Sequence, residues 1–271
     1  MKRVFLWFLP AGIALAMAGV FAAGFAAGVT GLLGVPAAEA VLPTPTPAPP
    51  VPAGVLRIVA LGDSMTRGAG DAAGGYPERV AREIRKGGRA ATVENLAVDG
   101  FRTADLLSKL DEPYVKERLA EANLVVLSIS GNDLTRALPG APAGEATEAP
   151  VGVLTRVEAD VTKILGAIRA ASPKAPIRLV GLYNPWSDAT GDRRLARMAL
   201  LMSNAALERA TAAVSGALVV PVADLFEARP DRLAADHFHP GPTGYDEIAA
   251  RIVSTLPPDS SRAEPGRQSR S

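Results

Sequence analysis

The chain has 271 residues, with 29 Lys and Arg against 28 Asp and Glu and a formal net charge of +1. No strongly basic field of the kind that gathers nucleic-acid phosphates exists, so nucleic acid is excluded as a partner class. The absence of cysteine removes disulfides, thiolate catalysis and Cys-based zinc sites, and the two histidines, His237 and His239, confine histidine chemistry to one short segment.

Met1, Lys2 and Arg3 precede an almost unbroken apolar run from Val4 to Val35 that carries no charge. About 20 apolar residues cross a bilayer, whereas signal-peptide cores run to about 7–15. The length favours an uncleaved signal-anchor. Ala38-Glu39-Ala40 has the small-x-small form of a cleavage site, so a long signal peptide cut after Ala40 is the competing reading. Either way Lys2 and Arg3 stay in the cytoplasm and the remainder is exported, tethered or secreted. Residues 41–54 (VLPTPTPAPPVPAG) favour extended polyproline II and form a semi-rigid linker. Residues 257–271 are polar and rich in Pro, Ser and Arg, and are expected to be a disordered tail. That leaves 55–256 as one domain with a sizeable core.

Within it, strand and helix patterns alternate. Val55–Leu61 reads as a strand, Tyr76–Lys86 as a helix and Ala91–Val98 as a second strand. Thr103–Ala120 has helical spacing broken at Pro113, and Leu124–Ile129 is a buried β-rich run. Val151–Ala171 is a long amphipathic helix, followed by strand Ile177–Leu182, helix Asp192–Val214, strand Leu218–Val222 and a closing helix Pro242–Thr255. Such alternation predicts an α/β fold, a mainly parallel sheet of about five strands covered on both faces, with any site at the carboxyl ends of the strands.

Each chemically informative segment lies at such an end. The first strand runs into Gly62-Asp63-Ser64-Met65-Thr66-Arg67-Gly68, which sets Ser64 at the mouth of a strand-to-helix turn whose free N–H groups face outward. A serine in this place suits a nucleophile, and equally a helix cap. The glycine-rich stretch Gly68–Gly75 is one residue too long for a dinucleotide loop and reads as a mobile loop beside the site. Asp236-His237-Phe238-His239 precedes the last helix, and a carboxylate three residues before a histidine can orient it as a base. Asp236, His237 and His239 lack a distant fourth ligand, so no metal is expected. Gly100 and Asn132 follow the second and third strands, where a glycine N–H and a side-chain amide can aim at a developing oxyanion. Asparagine also simply suits turns.

Together LGDSMTRGAG, NLAVDGFRT, SGNDL and DHFHP resemble the four blocks of the GDSL/SGNH hydrolases, over Leu56 to Ile252, and GLYNPW resembles a segment of lipase-like bacterial members. Two departures stand out: Ser130 where the asparagine block usually begins with glycine, and Met65 where leucine is frequent. The resemblance implies a three-layer α/β/α sandwich of flavodoxin-like type. It implies a serine esterase or lipase with Ser64 as nucleophile, Asp236 and His239 completing the triad, and an oxyanion hole from Ser64, Gly100 and Asn132. It implies no cofactor, with Asp63 and Asp133 structural. Substrates of such enzymes are small-molecule, lipid or acylated-glycan esters, which leaves a lipase, an O-acetyl esterase acting on cell-wall or exported polysaccharide, and a non-catalytic glycan- or lipid-binding module as competing uses. Tyr183 and Trp186 line the pocket in one reading and are ordinary packing aromatics in the other. Pro139–Pro150, too rich in Pro and Gly for a stable helix, is a flap or a surface loop.

Overall fold

A computed structural model describes residues 54–137, 150–185 and 193–257. The apolar run, nearly all of the linker and of the tail, Trp186 and residues 139–149 of the expected flap lie outside the described residues. Among the described residues, no helix is long and apolar enough to cross a membrane.

The chain forms β1 (Leu56–Gly62), α1 (Ser64–Arg67), α2 (Gly75–Lys86), β2 (Ala91–Asn95), α3 (Thr103–Leu110), α4 (Pro113–Ala120), β3 (Leu124–Ser128) and α5 (Gly131–Ala137). It continues through α6 (Pro150–Ala171), β4 (Ile177–Val180), α7 (Arg193–Ala212), β5 (Ala217–Val220), α8 (Ala223–Phe226) and α9 (Pro242–Ser254). The five strands are all parallel in the order β2-β1-β3-β4-β5. The break expected at Pro113 divides 103–120 into two helices, because proline cannot donate within a helix but starts a new one well, and it stands in the first turn of α4. β2 to β5 end earlier than their apolar runs. Leu96 and Val98 still donate to Ala60 and Gly62 across the edge of β1, but Ile129 and Leu182 already belong to the turns that carry the site.

Side-chain alternation along the strands divides the core. Ile58 and Ala60 of β1 and Val126 of β3 face α2 and α9, packing with Tyr76, Val80, Tyr245 and Ile248. Val59, Leu61, Val125 and Leu127 face the opposite way, against Leu106, Leu119, Val161, Leu165 and Leu207 of α3, α4, α6 and α7. Each fully buried Leu, Ile or Val is worth about 1.5–3 kcal/mol. A sheet buried on both faces explains why its strands read as continuous apolar runs. The chain leaves β1 towards β2 on one side and returns to β3 on the other, so the crevice at the carboxyl ends of β1 and β3 is the topological switch point where ligands bind in such sheets.

Candidate active site

Ser64 opens α1 directly after β1. Gly62 sits opposite Ser128 in register. A Cβ on Gly62 would lie 1.8 Å from the Ser128 carbonyl oxygen, and its φ is +116, so only glycine fits. This close approach brings the side chains of Asp63, Thr66 and Ser128 together beneath the nucleophile, all of them buried. The Asp63 carboxylate caps α1 by accepting from Met65 N–H at 3.1 Å, and it also accepts from Ser128 Oγ. With Asp63 ionised, the proton order is fixed. Ser128 donates to Asp63, so Thr66 Oγ1 donates to Ser128 Oγ at 2.7 Å and Tyr76 OH donates to Thr66 Oγ1. The backbone closes the network: Thr66 N–H donates to Ser128 Oγ at 3.1 Å and Ser128 N–H to Thr66 Oγ1 at 2.8 Å. Burial pushes the Asp63 carboxyl up to about 6, against the Ser128 hydrogen bond, the Met65 N–H and the nearby His239 imidazole, which lower it.

His239 comes from the loop before α9. Its Nε2 lies 2.9 Å from Ser64 Oγ and its Nδ1 2.6 Å from Asp236 Oδ2. The other Asp236 oxygen accepts the N–H groups of Phe238 and His239, each at 3.0 Å. Burial raises the Asp236 carboxyl, but the His239 ring and these two N–H groups outweigh it and hold it below the usual carboxylate range. His237, by contrast, is exposed with φ +54, and among the described residues its side chain has no hydrogen-bond partner. Its N–H donates to Ala234 O at 3.0 Å.

Three further ties hold the histidine loop. Ala234 N–H donates to His239 O at 2.8 Å, and Leu233 bridges Pro240. Tyr183 OH donates to Phe238 O at 2.6 Å while its ring stacks on Phe226, centroids 4.0 Å apart. Tyr183 is thus a packing and anchoring residue. The third tie corrects the reading of Gly68–Gly75 as mobile. Tyr245 OH donates to Ala69 O at 2.7 Å, the Asp71 carboxylate takes Gly75 N–H, and buried Arg79 pairs with Asp71 and, at 2.8 Å, with Asp246 of α9. A Cβ on Gly70 would sit 2.7 Å from Ala234 and 3.2 Å from the His239 Cβ. The glycines therefore let this loop buttress the base, a use that composition alone does not reveal.

The three candidate oxyanion donors are the Ser64 and Gly100 N–H groups and the Asn132 side-chain amide. Gly100 has φ +77, a left-handed backbone that favours glycine, and open space where a Cβ would point. Among the described residues, neither the Ser64 nor the Gly100 N–H has a hydrogen-bond partner. Asn132, in the first turn of α5, donates one amide hydrogen to Phe101 O at 2.9 Å, leaving the other free. Its neighbour Asp133 is buried and accepts Thr103 N–H at 3.0 Å, Thr103 Oγ1 at 2.9 Å and Arg156 at 3.3 Å. Asn132 and Asp133 together bind the Gly100 loop to α5. Ser130 is the unusual member of this group: it has φ +89, is fully buried, and among the described residues its Oγ has no partner.

Among the described residues, no group of three or more His, Cys, Asp or Glu side chains is arranged to hold a metal. The site consists of an activated hydroxyl, a base oriented by a carboxylate, and unpaired N–H donors at the mouth of a parallel sheet. Those are the parts of acyl transfer.

The sequence profile of the GDSL-like lipase/acylhydrolase family matches residues 60–247. The chain is 33% identical over 205 residues to the uncharacterized protein YpmR of Bacillus subtilis, covering 73% of this chain and 80% of that protein. It is 24% identical over 206 residues to the spore germination lipase LipC of Bacillus licheniformis, covering 73% and 94%. The crystal structure of the lipase Lip_vut3 from a goat rumen metagenome superimposes with a TM-score of 0.65 at 24% identity, covering 73% of this chain and 96% of that one. That likeness establishes the shared fold.

Proposed function

The chain belongs to the GDSL-like lipase/acylhydrolase family and is a carboxylic ester hydrolase, and from that premise we propose that it works through an acyl-enzyme on Ser64. His239 takes the Ser64 proton through Nε2, and Ser64 Oγ attacks the ester carbonyl. The oxyanion is received by the Ser64 and Gly100 N–H groups and the free amide hydrogen of Asn132. His239 then protonates the leaving alcohol, and water enters by the reverse path to release the acid. Asp236 keeps the Nδ1 proton in place and steadies the imidazolium. The observation that carries this reading is the unbroken chain from Ser64 Oγ to His239 at 2.9 Å and from His239 to Asp236 at 2.6 Å.

For the substrate we favour esters with an apolar acyl chain. Met198, Leu201 and Met202 form an exposed stripe on α7, in the part of that helix nearest the carboxyl end of β4. The name of the Bacillus licheniformis relative points the same way. The apolar run from Val4 to Val35 supports export, with the domain tethered outside the cytoplasmic membrane or released after Ala40.

The test is a p-nitrophenyl ester series, acetyl to long acyl, on the full-length chain beside Ser64→Ala. We expect release that rises with acyl length and that Ser64→Ala lowers ~10⁴-fold or more. Activity unchanged by Ser64→Ala refutes the nucleophile assignment. A preference for acetyl over longer chains moves the substrate to O-acetyl groups such as those of polysaccharides.

A further inference from the structure

Two arginines are almost wholly buried in this domain, Arg79 at 4% and Arg178 at 5% exposure, and they are treated differently. Arg79 meets two carboxylates, Asp71 and Asp246. Burial alone would lower it, but the Asp71 hydrogen bond and the two negative charges leave its guanidinium held more firmly charged than usual. Arg178 has only neutral acceptors: Thr255 Oγ1 at 2.8 Å, Thr255 O at 2.7 Å, and the carbonyls of Ile177 at 3.1 Å and Gly216 at 3.3 Å. Burial pulls its affinity for the proton down, and no anion opposes it. A buried cation without a counter-charge is costly.

Arg178 lines a cleft of about 410 Å³ at the amino ends of β4 and β5. Arg169 and Lys174 line it too, and among the described residues no acidic side chain does. Arg169 is likewise held by carbonyls alone, Ser215 O at 2.9 Å and Ser172 O at 2.8 Å. Gly216 makes room for it: its φ is +72, and a Cβ there would come within 2.8 Å of the Arg169 guanidinium. Among the described residues, Lys174 forms no ion pair and is exposed at the rim. Three cations thus converge on one concave surface, two of them fixed in place by carbonyls, with formal charges that these partial charges do not cancel. The Arg169 N–H groups not given to Ser215 O and Ser172 O, beside the Lys174 ammonium and with the buried Arg178 charge behind them, suit a tetrahedral oxyanion.

We propose that this cleft binds a phosphate group, supplied either as free phosphate or by an anionic lipid headgroup. It lies at the amino ends of the strands, with Ser64 at their carboxyl ends. Leu56 opens β1 at those same amino ends, so a phosphate-bearing surface held there leaves the mouth at Ser64 unobstructed.

The test is calorimetric titration of the full-length chain, in an uncharged detergent, with inorganic phosphate and separately with glycerophosphoglycerol. Sodium chloride at matched ionic strength is the blank. We expect saturable binding of at least one probe, weakened at least about tenfold in Lys174→Ala with Arg169→Gln, which removes one charge-assisted donor set and one ammonium. Stronger binding of glycerophosphoglycerol assigns the cleft to headgroups, and stronger binding of phosphate assigns it to the free anion. Hydrolysis of p-nitrophenyl acetate should be unchanged in the variant, which shows that it is folded. Absence of saturable binding by either probe, or binding that the folded variant retains in full, overturns the proposal.

Discussion

Ser64 and His239 are held in opposite ways. The Ser64 turn rests on buried side chains, Asp63, Ser128, Thr66 and Tyr76, whose hydroxyls lead in one direction to a carboxylate. The His239 loop is more open. Asp236 is 45% exposed, and the loop is shaped by backbone pairs, Ala234 to His239 and Gly241 to Arg232, together with the Tyr183 hydroxyl. The contrast follows from the fold. A turn leaving a central strand is surrounded by protein and needs every polar group matched inside it. A loop before the last helix has water on one side and can spend its side chains on the substrate. Two acids act on the same imidazole from these two settings: Asp236 touches it, and Asp63 acts only through space.

Removing one histidine at a time gives the largest test of this contrast. His239→Ala should lower ester hydrolysis ~10⁴-fold, while His237→Ala should change it by less than about twofold, because only His239 bridges the serine and the carboxylate. Initial rates in the reverse order would place the base on His237. The next effect concerns the buried acid. Asp63 rises from 3.8 to about 6 on burial, so the folded state holds this proton more tightly than the unfolded chain does. The unfolded state binds fewer protons between those values, and stability therefore falls as pH rises from about 4 to about 6, by ~2–3 kcal/mol. Asp63→Asn should flatten that part of the stability-against-pH curve, measured by urea unfolding at each pH. An unchanged slope in the variant would mean that Asp63 does not carry the charge. The smaller third effect tests the open loop. Tyr183→Phe keeps the stack on Phe226 and removes the hydroxyl from Phe238 O, so kcat should drop about tenfold with KM little changed, as expected from a lost hydrogen bond of ~1–1.5 kcal/mol. A change confined to KM would instead make Tyr183 a substrate contact.

The elements that sequence periodicity describes well are those with long uniform patterns. β1, β3, α2, α6 and α9 lie within a residue or two of their apolar runs, because a two-faced sheet and its covering helices impose those patterns directly. The short helices α1 and α5 are invisible to periodicity. They begin at Ser64 and Gly131, where turn chemistry and motif residues dominate a stretch of four or seven residues. Ser64, Gly100 and Asn132 stand out in the sequence because each follows a strand closely, whereas Asp236 and His239 stand out as a carboxylate–histidine pair in the loop before α9. Their supports do not. Ser128 lies 65 residues from Asp63, and Asp246 lies 167 from Arg79, and no local pattern records such partners. The stretch Gly68–Gly75 reads as mobile for the same reason: its anchors, Tyr245 and Arg79, are on other elements.

Ser130 is where the well-satisfied half of the site breaks its own rule. The residue is visible in the sequence as a departure from glycine, but its consequences belong to the structure. It holds φ +89, a region that L side chains rarely adopt, and a fully buried hydroxyl there finds no partner among the described residues. Strain at such a position costs on the order of 1–3 kcal/mol, and an unsatisfied buried hydroxyl about as much. Against this, glycine gains flexibility in the unfolded chain worth about 0.4–1 kcal/mol. Ser130→Gly should therefore stabilise the domain by a net ~1 kcal/mol, read as a higher urea midpoint at unchanged slope. Because Leu134 N–H, which donates to Ser130 O at 3.2 Å, uses only the backbone, the start of α5 and the placement of Asn132 should survive the change, with esterase activity within about twofold. A less stable variant would mean that the hydroxyl has a partner after all, and the buried region around the nucleophile would then have no exception to its pattern of matched groups.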